Sequence, residues 1–176
     1  MNSARTLADR FRTQRTDRIR VDGIEVISMA ELVVHNDDAV EIVVEQFRSD
    51  VEQALHVRAK KSALSVTEHS AAVEDDYIFD DSITSDSITL VANQPRRIEF
   101  GLADASDRPV VLQLWNSWIL GDAEHAWTGN SGIVVEELDV PNGADARVRL
   151  WCSDGLGDPQ FDDLVVVLTV GAKQTS

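Results

Sequence analysis

From about Tyr77 to the end of the chain, short apolar runs alternate with clusters of turn-forming residues, and helical spacing of apolar positions disappears. That punctuation restricts this part of the chain to short strands joined by tight connections. Strands are expected at 88–91, 97–102, 110–115, 133–138, 147–152 and 164–170. Between them lie Ala105-Ser106-Asp107-Arg108-Pro109, Pro141-Asn142-Gly143 and Asp154-Gly155-Leu156-Gly157-Asp158-Pro159. Such clusters supply the positive-φ and fixed-φ positions that turns require. Arg147 and Arg149 alternate with Val148 and Leu150, as in a strand with one wet face. Leu164-Val165-Val166-Val167-Leu168 is apolar throughout and is expected at the centre of a sheet. The reading is an antiparallel sandwich or jelly-roll-like sheet.

The N-terminal part reads differently. Ala4, Leu7, Ala8 and Phe11 follow helical spacing with arginines on the other face, so residues 1–18 form a basic arm or a short helix. Ile19-Arg20-Val21-Asp22-Gly23-Ile24-Glu25-Val26 alternates around an Asp-Gly pair, the signature of a hairpin with a type I′ turn. Over residues 37–59, Val40, Val43, Val44, Phe47, Val51, Ala54 and Leu55 fall on one helical face about 120° wide. Asn36 can cap that helix, with Asp37 and Asp38 in its first turn and Arg58, Lys60 and Lys61 near its end. The β-branched run Val40-Glu41-Ile42-Val43-Val44 speaks for a strand instead, but length and end signals favour one substantial amphipathic helix. The fold class is therefore α+β and mostly β. Residues 19–176 are expected to form a single domain, with a hairpin plus helix over 19–70 and the sandwich over 77–172. The link from His69 to Asp81 is short and contains neither proline nor glycine.

Charge is the most unusual feature of the composition. Over 176 residues, 16 basic and 31 acidic side chains leave a net −15. Residues 1–20 carry six arginines and two aspartates, a net of +4, so the remaining ten basic and 29 acidic residues sum to −19. From Ser62 to Pro95 there is no lysine or arginine, against seven carboxylates. A field of that sign repels nucleic acid and attracts basic partners or cations. Only the N-terminal arginines could neutralise phosphates, and the acidic body opposes them. The same arginines can instead lie on the acidic surface of their own chain or of a second copy in a homo-oligomer. A saline environment would also favour such acidity.

No run approaches the ~20 apolar residues of a membrane helix. The arginine-rich start lacks an apolar h-region, and Asp9 and Asp17 argue against an organellar presequence. A single cysteine, Cys152, excludes an internal disulfide and a multi-thiolate zinc site. A cytoplasmic protein is expected.

Motifs for chemistry are few. Gly155-Leu156-Gly157 lacks the third glycine and the following helix of a nucleotide-binding loop. Gly129-Asn130-Ser131-Gly132 is one residue short of a nucleophile elbow, although a Ser131–His125 pairing would permit a small hydrolase. Cys152, beside Trp151 in a strand, reads as a small core hydrophobe. His35, His56, His69 and His125 form no zinc-binding pair. Calcium takes several oxygen ligands from flexible loops. Two clusters offer them: Glu74, Asp75 and Asp76 with Asp80 and Asp81, and Asp154 and Asp158 with Asp162 and Asp163. Neither has the spacing of an EF-hand. Trp115, Trp118 and Trp127 lie within thirteen residues. With Trp115 facing inward, Trp118 would face out at the strand end, and Trp118 or Trp127 could stack on a sugar or anchor a partner.

No motif spans enough of the chain to carry a function over from a known family. Three readings remain, led by a non-catalytic acidic protein that binds a basic partner, in the manner of an inhibitor or immunity protein, with Glu74 and its neighbouring aspartates carrying the surface. A calcium- or carbohydrate-binding sandwich comes second, and a hydrolase with a site assembled only in space comes third. No cofactor is required by any of them except the calcium of the second.

Overall fold

The computed structural model describes residues 5–69, 77–79, 87–92, 96–102 and 108–172. Helix α1 (Leu7–Gln14) opens on a reciprocal cap in which the Thr6 hydroxyl accepts the Asp9 N–H and the Asp9 carboxylate accepts the Thr6 N–H. Two otherwise orphaned donors are thereby satisfied. It ends at Arg15, whose φ of 51° is the left-handed conformation usual after a last helical turn. Strands β1 (Arg18–Val21) and β2 (Ile24–Ile27) form the expected hairpin. Val21 pairs with Ile24, and Asp22 and Gly23 take φ of 51° and 84°, the two positive values that match the strand twist in a type I′ turn.

The helix expected over residues 37–59 does not form. That segment is two strands, β4 (Asp38–Phe47) and β5 (Glu52–Ala59), separated by a turn at 48–51 and preceded by β3 (Ala30–Val34). In β4, Val40, Ile42 and Val44 are buried while Ala39, Glu41 and Val43 are less so, a period of two rather than 3.6. The apolar residues on both faces of this strand mimic a helical stripe, and the β-branched run decides the outcome. Nor does Asn36 cap a helix: Asp38 closes the turn, donating its N–H to His35 O and accepting the His35 N–H at 2.7 Å.

The rest is strand: β6 (Leu64–His69), β7 (Tyr77–Phe79), β8 (Ser87–Ala92), β9 (Arg96–Leu102), β10 (Val110–Leu120), β11 (Ala123–His125), β12 (Gly132–Glu137), β13 (Ala144–Ser153) and β14 (Leu164–Ala172). All six strands expected in this half are present. One sheet has the order β1-β2-β12-β13-β14-β4-β9-β6, and the other β11-β10-β5-β8-β7, with β3 also pairing with β10. Every pairing between described strands is antiparallel. The all-apolar β14 sits between β13 and β4, and Val165, Val166, Val167 and Leu168 are all buried.

The two sheets face each other in a sandwich-like arrangement. Val40, Ile42, Phe100, Leu150, Val166 and Leu168 of the larger sheet join Leu55, Val57, Ile88, Leu90, Leu112 and Leu114 of the smaller in one core. A smaller cluster of Leu7, Ile19 and Val26, with Phe11, Val134 and Phe161 against it, fixes α1 on β1, β2 and β12. Among the described residues no helix is long and apolar enough to cross a membrane.

Candidate functional site

Trp115 and Trp118 stand three residues apart on β10 and so point to opposite sides of its sheet. Their sides are the reverse of the expectation. Trp118 continues the inward series Leu112, Leu114, Asn116 and is only 2% exposed, so it cannot anchor a partner. Trp115 lies outward, stacked on His56 of β5, its register partner, with ring centroids 5.1 Å apart and planes 7° from parallel. Around His56 gathers a polar group from three more positions. Its Nε2 meets Ser117 Oγ at 2.8 Å and the Glu124 carboxylate, while Thr89 Oγ1 lies 3.1 Å from Nδ1. Ser117 donates to Glu124 at 2.6 Å. Burial alone would raise the Glu124 carboxyl, but the bonds from Ser117 and His56 outweigh it and hold it below its ordinary value. In a hydrolytic triad the carboxylate orients the ring through Nδ1 while serine bonds Nε2. Here both serine and carboxylate crowd Nε2, and Ser117 is fully buried. The group is a satisfied clamp holding β5, β8, β10 and β11 together.

The second acidic cluster resolves into a network around Arg48. Asp154, with no exposed surface, accepts from Arg48 at 3.0 Å and from Gln53 Nε2 at 2.9 Å. Its second oxygen accepts the Leu156 N–H, and its own N–H donates to Asp163 at 3.0 Å. Arg48 also grips Asp50 through two bonds of 2.7 Å and lies 3.7 Å from Asp163. Hydrogen bonds from Arg48 hold Asp50 below the usual carboxylate range. Burial raises Asp163 to about 6, only partly opposed by its bond from the Asp154 backbone. Asp158 and Asp162 are exposed on the connecting loop. Among the described residues no three His, Cys, Asp or Glu side chains converge as metal ligands. Glu74, Asp75, Asp76, Asp80 and Asp81 lie outside the described residues.

Trp127 is exposed. Its φ of 55° is rare for a bulky residue. Four contacts hold the loop that carries it. Trp127 Nε1 donates to Ser28 O at 3.0 Å, and its ring leans on Trp115 at 5.3 Å. Helix α1 docks from the other side, with the Leu7 N–H on Asn130 Oδ1 and the Ala8 N–H on Gly129 O. Between this loop and α1 opens a cleft of about 680 Å³ walled by Arg12, Arg15, Asp17, Ser28, Trp127 and Ser131. Ser131 and His125 share no hydrogen bond; His125 instead stacks near Trp118 at 6.0 Å.

A second cleft, about 340 Å³, lies beyond the backbone bond from Ser28 N to Asp17 O. It enters the sandwich where β2 and β3 pass from one sheet to the other. Ile27, Leu114, Leu150 and Leu168 line it, with Val135 exposed beside them. Its charged residues are Asp17, Glu25, Glu31 and Glu137 against Arg18 alone, a net −3. Arg18 is itself bonded to Glu25 at 2.6 Å. Neither cleft is legible in the sequence, because each is assembled from segments more than a hundred residues apart.

These features define, as a class, a β-sandwich whose described residues form a basic cleft beside Trp127 and an acidic one between the sheets. Comparison of the chain with family models, with curated proteins and with solved structures returns no match.

Proposed function

We propose that the protein is a non-catalytic binding protein whose acidic surface receives a basic protein partner, and that the cleft between the sheets is where the partner docks. The observation that carries this reading is the combination of an apolar floor with a rim of four carboxylates and one already paired arginine. An apolar side chain flanked by lysine or arginine fits both. Burial of the apolar group supplies affinity, and the rim supplies steering and register. The net −15 of the whole chain extends the attraction beyond the cleft.

The test uses an amphipathic peptide of alternating leucine and lysine, followed by stopped-flow fluorescence. Association is expected to slow by about tenfold or more between low and physiological salt, as steered encounters do. The double reversal Glu31→Lys with Glu137→Lys should slow it similarly at low salt and leave the melting temperature within a few degrees. An association rate indifferent to both salt and reversal would overturn the reading.

A further inference from the structure

The cleft beside Trp127 has the opposite chemistry to the acidic one. In a chain with so few cations, Arg15 makes no ion pair with any described residue, and it stands on the wall of this cleft. Among the described residues the Arg12 guanidinium, on the same wall, pairs only with Asp9 at 3.2 Å, and both side chains of that pair are well exposed. Opposite them is an indole that is 47% exposed, held in a rare backbone conformation by its bond to Ser28 O and by Trp115 behind it. Left-handed backbone at a bulky residue is unfavourable and persists only where surrounding contacts over-determine it.

We propose that this cleft binds a sugar ring bearing a single carboxylate, a hexuronic acid, with Trp127 as the stacking face and Arg15 as the carboxylate clamp. Three features of the lining select that chemistry. Arg15 is the one cationic side chain of this wall that no described carboxylate neutralises, which matches a ligand carrying a single carboxylate. Asp17 can accept from ligand hydroxyls, and Ser28 and Ser131 add further polar positions. A guanidinium and a carboxylate match as planar forks, and an aromatic face suits the apolar side of a pyranose. The volume of about 680 Å³ falls in the ~300–1,000 Å³ range of small-molecule sites. This proposal rests on different residues from the docking cleft, apart from Asp17, and each can fail without the other.

The experiment is titration of the full chain with methyl glucuronide, methyl galacturonide, neutral methyl glucoside and inorganic phosphate, followed by tryptophan fluorescence and calorimetry. A uronide should bind, and neutral glucoside should bind more weakly by about tenfold or more, the value of a charge-assisted bond. Arg15→Ala should abolish the difference between charged and neutral sugar, whereas Arg15→Lys should keep part of it. Trp127→Phe, which preserves an aromatic face and the loop, should weaken binding less than Trp127→Ala. Three results would each overturn the proposal: no uronide binding at millimolar concentration, binding unchanged by Arg15→Ala, or tighter binding of phosphate than of either uronide.

Discussion

Asp154 has no surface left in water, so the cost of its charge is met by named groups: Arg48, Gln53 and the Leu156 N–H. Removing one partner of such a buried pair costs about 3–5 kcal/mol, because the remaining charge is stranded. Arg48→Ala should lower stability by that amount in denaturant titration. Asp163 titrates in the opposite sense to a stabilising carboxylate. Its folded value of about 6 exceeds the unfolded ~3.9, so the native state holds the proton more tightly between those limits. Its favourable contribution is complete below about pH 4 and is lost as pH rises through 6. Asp163→Asn, whose amide oxygen can still accept the Asp154 N–H, should therefore gain more stability over wild type at pH 7 than at pH 5. A difference in melting temperature that does not change with pH would contradict this. Cys152 lies in the same neighbourhood, and burial followed by the charge of Asp163 pushes its thiol far above the ordinary range. It should resist aromatic disulfide reagents in the folded protein and react at once when unfolded.

At the scale of elements, the loops at 126–131 and 154–158 act as one unit. A Cβ at Gly129 would overlap the carbonyl of Gly155, and one at Gly155 would overlap the ring of Trp118. Gly129 also has a φ of +57°, so substitution is both crowded and strained. Gly129→Ala should cost about 2 kcal/mol or more and should red-shift tryptophan emission as the Trp127 loop loosens. By contrast Gly23 has open space around it and needs only its positive φ. The elements also show where sequence reading succeeded. The Asp22-Gly23 turn and β14 depend on local conformation and on uninterrupted apolarity, both written in neighbouring residues. The stretch 37–59 misled because strand β4 carries apolar residues on both faces, which hides its alternation, and because reading it as one helix ran through the turn at 48–51 into β5, whose Leu55, Val57 and Ala59 do alternate with His56 and Arg58. That error hid His56, whose placement on a helix would have separated it from Trp115, Ser117 and Thr89.

For the whole molecule, the net −15 opposes compaction. Raising salt should screen this self-repulsion, and a gain of about 1 kcal/mol would raise the melting temperature by ~2–4 °C in a domain of this size. A melting temperature flat from low to molar salt would show that local pairs such as Arg149 with Glu45 and Glu136 already absorb the repulsion. The sequence by itself determined the mostly β class, the hairpin, the short N-terminal helix and the sign of the surface field. Each follows from neighbouring residues or from a sum, neither of which needs contacts. Tertiary structure alone decided which tryptophan faces out, because one inward residue fixes the side of every other residue on its strand. It decided that Asp154 and Asp163 answer an arginine, since Arg48 lies more than a hundred positions away. It also built the two clefts, because a concavity between packed segments has no counterpart in local sequence.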